Sequence, residues 1–183
     1  MKKIVSIVLL LSVVVFVFFM LNASGVSRSV AMRESMQKTE EIYVYEGLPH
    51  QLFEGDKLAV ESKRADVKKV GSYPFYNPPT LVEVKVVKSL KQWLTEETSF
   101  RKFSGEKKCG GFHPDYAVVW EGRKKDYAVL ICFGCGEVIF TDGTTQLRYD
   151  LDVKAKDELK ILLANFDKKR PNSKEPATKK DPE

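Results

Sequence analysis

Three cysteines and two histidines are the residues of this 183-residue chain with the most chemistry to offer. They lie in short glycine-rich segments: Cys109-Gly110-Gly111-Phe112-His113, Cys132-Phe133-Gly134-Cys135-Gly136 and Glu46-Gly47-Leu48-Pro49-His50. The first chemistry open to them is a structural disulfide from Cys109 to Cys132 or Cys135. It would tie the loop before the C-terminal meander to the meander's central strand. Closing roughly two dozen residues contributes about 3 kcal/mol by the loop-entropy argument. The cysteine left over would then serve as a small buried apolar residue. Geometry constrains the choice of pair. In an unbroken strand, residues three apart are about 10 Å apart and point to opposite faces. A disulfide needs Cα atoms roughly 4.4–6.8 Å apart. Cys132 and Cys135 therefore bond to each other only if the backbone bends between them, and Gly134 and Gly136 are the residues that allow a bend.

The second chemistry is a zinc site. Cys-x-x-Cys-Gly between two strands resembles the knuckle of zinc ribbons, and Cys109 and His113 would complete a tetrahedral set with Cys132 and Cys135. Four protein ligands leave no open position, so such a zinc would be structural. The third is a thiol-disulfide oxidoreductase using Cys132 and Cys135. Thioredoxin-like pairs sit at a helix N-terminus, which lowers the pKa of the first thiol; here a strand is expected to follow instead. Covalent haem needs a histidine directly after the second cysteine, and position 136 is glycine. His50 is a possible accessory to His113, although a surface or helix-starting histidine is the simpler reading. No serine sits in a nucleophile elbow and no phosphate-binding glycine loop is present. The carboxylates are scattered, and Pro114-Asp115-Tyr116 reads as the start of a strand. The pattern points to a binding or structural module rather than an enzyme. No cofactor is required, and zinc is the alternative.

The compartment decides how the thiols are read. Lys2 and Lys3 precede an apolar run from Ile4 to Leu21, broken only by Ser6 and Ser12. As a helix at about 1.5 Å per residue it reaches roughly 27 Å, close to the hydrocarbon thickness of a bilayer. The lysines hold the N-terminus in the cytoplasm, so the rest of the chain faces outward. The run exceeds the about 7–15 apolar residues of a cleaved signal peptide, which favours a transmembrane anchor. The small residues Ala23-Ser24-Gly25 nevertheless offer a cleavage site, and cleavage would release a secreted or periplasmic protein. No cysteine is near enough for lipid attachment. An odd cysteine count outside the cytoplasm implies one disulfide and one spare thiol. The net charge of +5 is spread over short runs such as Lys107-Lys108, Arg123-Lys124-Lys125 and Lys168-Lys169-Arg170. None is interleaved with aromatics as a single-strand nucleic-acid platform would be. The membrane is the one partner the sequence implies; nucleic acid is not expected, and a protein or small-molecule partner is left unspecified.

The elements that must position the cysteines read as one α+β domain over residues 40–166, after an anchor or signal helix (1–21) and a linker (22–39), and before a disordered charged tail (167–183). Ile42 to Tyr45 is β-prone and closed by Gly47 and Pro49. Gln51 to Arg64 is a candidate helix burying Leu52, Leu58 and Val60. Val67 to Val70 is a second strand, and Ser72 to Pro79 is a turn-rich stretch whose aromatics pack back on the domain. Leu81 to Leu94 begins with strand-like alternation at Val82, Val84 and Val86, then takes helical spacing at Val86, Leu90, Trp93 and Leu94. It reads as a short strand running into a helix that ends near Glu97. Tyr116–Glu121, Tyr127–Phe133 and Val138–Thr141 form an antiparallel meander. A hairpin at Asp142-Gly143 leads to a fourth strand through Leu147, Tyr149 and Leu151. Asp152 caps a helix from Val153 to Phe166, with Leu159, Leu162, Leu163 and Phe166 inward. The expected fold is an antiparallel sheet, with a C-terminal meander of about four strands, packed with two or three helices.

Glu46 to His50, Tyr73 to Tyr76, Cys109 to Tyr116 and Cys132 to Glu137 resemble the signature segments of a family of uncharacterised exported bacterial proteins. The resemblance runs over roughly residues 42–171 and ends with Arg170-Pro171. Cys-Gly-Gly-Phe-His-Pro-Asp-Tyr is its most specific part. It implies an export signal followed by one compact domain and transfers no catalytic residue. It groups His50, His113 and the cysteines without assigning them a task.

Overall fold

The computed structural model describes residues 30–107, 109–122, 125–167 and 169–171. The apolar run 4–21 and residues 172–183 lie outside these. Among the described residues no helix is long and apolar enough to cross a membrane. Contacts divide the chain into Met1–Glu34 and Ser35–Glu183, and the second unit carries every element discussed below except the start of α1. Residues 30–38 are helical (α1).

The fold is α+β, built on an antiparallel sheet with the strand order β4-β1-β6-β7-β8-β9-β5. Its centre is the expected meander: β6 (Tyr116–Glu121), β7 (Asp126–Cys132), β8 (Glu137–Thr141) and β9 (Gln146–Leu151). Every residue of β7 from Ala128 to Cys132 is buried, as a central strand covered on both faces must be. At the β8–β9 turn Gly143 adopts φ +83°. There the Asp142 carboxylate accepts the Thr144 and Thr145 amides at 3.0 and 2.7 Å.

The four strands of the meander lie within a sheet of seven. β1 (Tyr43–Glu46) pairs with β6, β4 (Thr80–Leu81) adds to β1, and β5 (Phe100–Lys102) adds to β9. β4 and β5, at two and three residues, are too short to show a period of two in the sequence.

The register sorts the side chains into two layers. Tyr45, Ala117, Leu130 and Ile139 share one face, where Phe75 packs on them. Phe75 belongs to a separate two-stranded ribbon of β2 (Val67–Val70) and β3 (Tyr73–Tyr76). The expected turn at 72–79 is therefore half strand. Pro74 is tolerated because a two-stranded ribbon has only edges. Phe100, Phe140 and Tyr149 lie on the other face in mutual ring contact. Trp93 joins them at 5.2 Å from Phe100, and its indole N–H donates to the Ala155 carbonyl at 2.8 Å. That bond couples α3 (Val84–Thr95) to α4 (Val153–Leu163), which continues into a 3-10 turn at Ala164–Phe166. Asp152 caps α4 as expected, accepting the Lys154 and Ala155 amides at 2.9 and 3.4 Å.

Two helices differ from their expected form. The one between β1 and β2, α2, is only Gly55–Glu61. Leu52 and Val60 are 63% and 61% exposed, and the buried residue of α2 is Glu61, which accepts the Tyr76 hydroxyl at 2.8 Å. A buried hydrogen-bonded carboxylate has replaced the apolar stripe, and hydrophobic spacing cannot reveal that. Val84 opens α3 at 87% exposure instead of extending a strand.

Phe75 is fully buried and Val84 is solvated. Phe75→Ala should cost about 3–5 kcal/mol in urea unfolding, and Val84→Ala no more than about 0.5 kcal/mol.

Candidate functional site

The singled-out segments meet at one end of the main sheet. Glu46 is opposite Tyr116, Tyr116 is opposite Ile131, and Cys132 is opposite Glu137. Consequently the loop after β1, the loop before β6 and the β7–β8 turn emerge side by side. Gly47 sets how closely the first two approach. Its amide donates to the Asp115 carbonyl at 2.7 Å, and a Cβ there would stand 2.1 Å from the Pro114 carbonyl oxygen. Only glycine fits this position.

Cys109 and Cys135 form a disulfide, with Cα atoms 5.6 Å apart. It fastens the loop before β6 to the β7–β8 turn. Cys132 is the spare thiol, 2% exposed. Its sulfur accepts the Cys135 amide at 3.2 Å. Burial pushes the Cys132 thiol up, the neighbouring backbone of His113 and Cys135 pulls it back, and Asp115 and Glu137 push it further up. Two of the four residues considered for zinc, Cys109 and Cys135, thus have their sulfurs bonded to each other. Among the described residues no group of three or more His, Cys, Asp or Glu side chains is arranged to hold a metal ion.

His50 and His113 do come together, with ring centroids 4.6 Å apart. Phe53 packs on the other side of His50 at 4.7 Å. His50 starts a turn: its Nδ1 accepts the Leu52 amide at 3.0 Å and its carbonyl accepts the Glu54 amide at 2.7 Å. Burial lowers the pKa of His113 below 6.5, helped by the neighbouring His50 and Arg170, while Asp115 and the Pro49 carbonyl oppose the shift.

The sequence pattern passes over three residues that hold this end of the sheet. Asp115 is bonded through every polar group it has. Its amide donates to the Ile131 carbonyl at 2.7 Å, its carbonyl accepts from Gly47, and its carboxylate accepts the Phe133 amide at 2.7 Å and lies 3.4 Å from Arg170. Arg170 also donates to the Gly47 and Leu48 carbonyls at 2.9 and 3.0 Å. The carboxylate of Glu46, 5% exposed, accepts the Lys169 and Arg170 amides at 2.8 and 3.0 Å. Tyr116 donates its hydroxyl to Asp167. Residues 167 and 169–171, assigned by composition to a disordered tail, are thus strapped across the site. A charged run in the sequence gives no indication that its charges are used. A second ion pair braces the far side of the loop. The fully buried Glu137 accepts from Arg148 Nε at 2.9 Å, and that guanidinium lies over the Phe103 and Phe112 rings at 4.5 and 5.4 Å.

No protein-family model matches the chain, and neither the curated proteins nor the solved structures contain a significant match.

Two outcomes follow for stability. Asp115→Ala leaves the part-buried Phe133 amide without its acceptor and removes a partner of Arg170, and should cost about 1–3 kcal/mol in chemical denaturation. For His113, the folded chain binds its proton less tightly than the unfolded chain. Its contribution to stability is present above pH 6.5 and is lost as pH falls through the lower folded value. The thermal midpoint should drop between pH 7 and pH 5.5, and His113→Asn should flatten that part of the profile.

Proposed function

We propose that this chain is a membrane-tethered extracytoplasmic α+β module that binds or supports a partner rather than transforming a substrate. Its cysteine cluster serves stability. The observation that carries this reading is the Cys109–Cys135 bond across one end of the sheet. Disulfides of this kind persist in oxidising compartments, which accords with an N-terminal apolar run preceded by lysines. Residues of the segments singled out in the sequence also bond to one another and to the C-terminal strap: Gly47 with Asp115, Glu46 with Lys169 and Arg170, Tyr116 with Asp167. These bonds give Glu46, Gly47, Asp115 and Tyr116 an architectural role. An oxidoreductase role draws little support, because Cys135 is followed by Gly136 and β8 instead of a helix whose N-terminus would activate a thiol.

Thiol counting on protein isolated without reductant and then denatured should give one free thiol per chain. Three free thiols with stoichiometric zinc by elemental analysis would replace this reading with the zinc-stabilised module on Cys109, His113, Cys132 and Cys135. A topology reporter fused after Glu183 should be active only in the oxidising compartment; activity in the cytoplasm would end the export reading.

A further inference from the structure

The Cys109–Cys135 disulfide does not stand alone: the third cysteine is set against it. Residues 133–136 form the turn between β7 and β8, with Gly136 at φ +65°. This is the bend without which Cys132 and Cys135 could not approach. It brings the Cys135 amide to 3.2 Å from Cys132 Sγ, so the free sulfur touches the backbone of a residue already in the disulfide. Cys132 is sealed at 2% exposure, whereas Cys109 is half-buried and is followed by Gly110 and Gly111 at φ +81° and +92°. One sulfur is therefore protected and adjacent to the bond. The sulfur at the other end of that bond sits in a half-buried loop beside the exposed Gly110.

We propose that the three cysteines form an internal thiol–disulfide exchange relay that converts Cys109 into a modification site for soft electrophiles and small disulfides. The Cys132 thiol loses its proton, which in the net exchange passes to the departing Cys109, and its sulfur attacks Sγ of Cys135. The Cys132–Cys135 bond forms as the Cys135–Cys109 bond breaks, and the Cys109 thiolate leaves and takes a proton. One disulfide and one thiol are present before and after, so no oxidant or reductant is consumed. The loop stays seated during the exchange because Asp115 and Gly47 hold it independently of sulfur. The relay rests on the Cys109–Cys135 pairing alone, and not on the membrane tether or on a binding role.

The test follows the alkyl group. The full chain, oxidised and native at pH 8, is treated with iodoacetamide, quenched in acid and mapped by mass spectrometry without reduction. The expected product carries the label on Cys109 together with a Cys132–Cys135 crosslink. It should form faster as pH rises, because the attacking species is the thiolate. Cys132→Ala should remain unlabelled with Cys109–Cys135 intact, and Cys109→Ser oxidised with glutathione disulfide should carry a Cys132–Cys135 crosslink and no glutathione adduct. Label on Cys132 with Cys109–Cys135 unbroken would overturn the relay. So would a native chain that takes no label while the denatured chain is labelled at Cys132. Two free thiols in folded Cys109→Ser would likewise exclude the second pairing; if that variant does not fold, the map of the unaltered chain decides.

Discussion

The site end of this domain depends on one aspartate that leaves none of its bonding capacity unused. Asp115 sits where the chain enters β6, and its amide, its carbonyl and its carboxylate reach separate segments of the chain. An exposed carboxylate beside a guanidinium contributes little, because water competes for both. A carboxylate that also accepts a backbone amide in a half-buried setting does more, since removing it leaves a donor with nowhere to turn. The loop after β1, the end of β7 and the C-terminal strap are all fixed relative to this one residue. The disulfide, the histidine pair and the buried thiol take their places from that arrangement.

Much of the fold was legible because its central elements have strong local signals. β7 announces itself by an apolar run from Ala128 to Cys132 that no surface strand would carry, and α4 by an aspartate immediately before a helical stripe. The elements that escaped are those whose identity depends on a neighbour. β5 exists because β9 offers it a ladder, and β3 includes a proline that a longer sheet would reject. α2 is anchored through Glu61, a residue type that hydrophobicity assigns to solvent.

The site was legible in its membership and not in its wiring. The sequence grouped His50, His113 and the three cysteines, and the structure brings them to one end of the sheet. Which thiols pair could not be read, because the answer turns on the conformation of Phe133 to Gly136. A straight strand, a tight turn and a metal knuckle have the same spelling there. Arg170 was misjudged for a different reason. Composition reports how a segment interacts with water on average, whereas this arginine is held by particular carbonyls that lie more than a hundred positions earlier in the chain.

The brevity of the two outermost strands has a consequence for how copies of this domain meet. Thr80–Leu81 and Phe100–Lys102 close the main sheet with hardly any ladder left to share, and Arg101 at the second border is engaged by Asp152. A foreign β-segment finds almost no template for lateral growth along that sheet. Crowded side by side, these domains are guarded against fusing into a continuous fibril-like ribbon through their largest sheet, and self-association there must use side chains instead of main-chain amides.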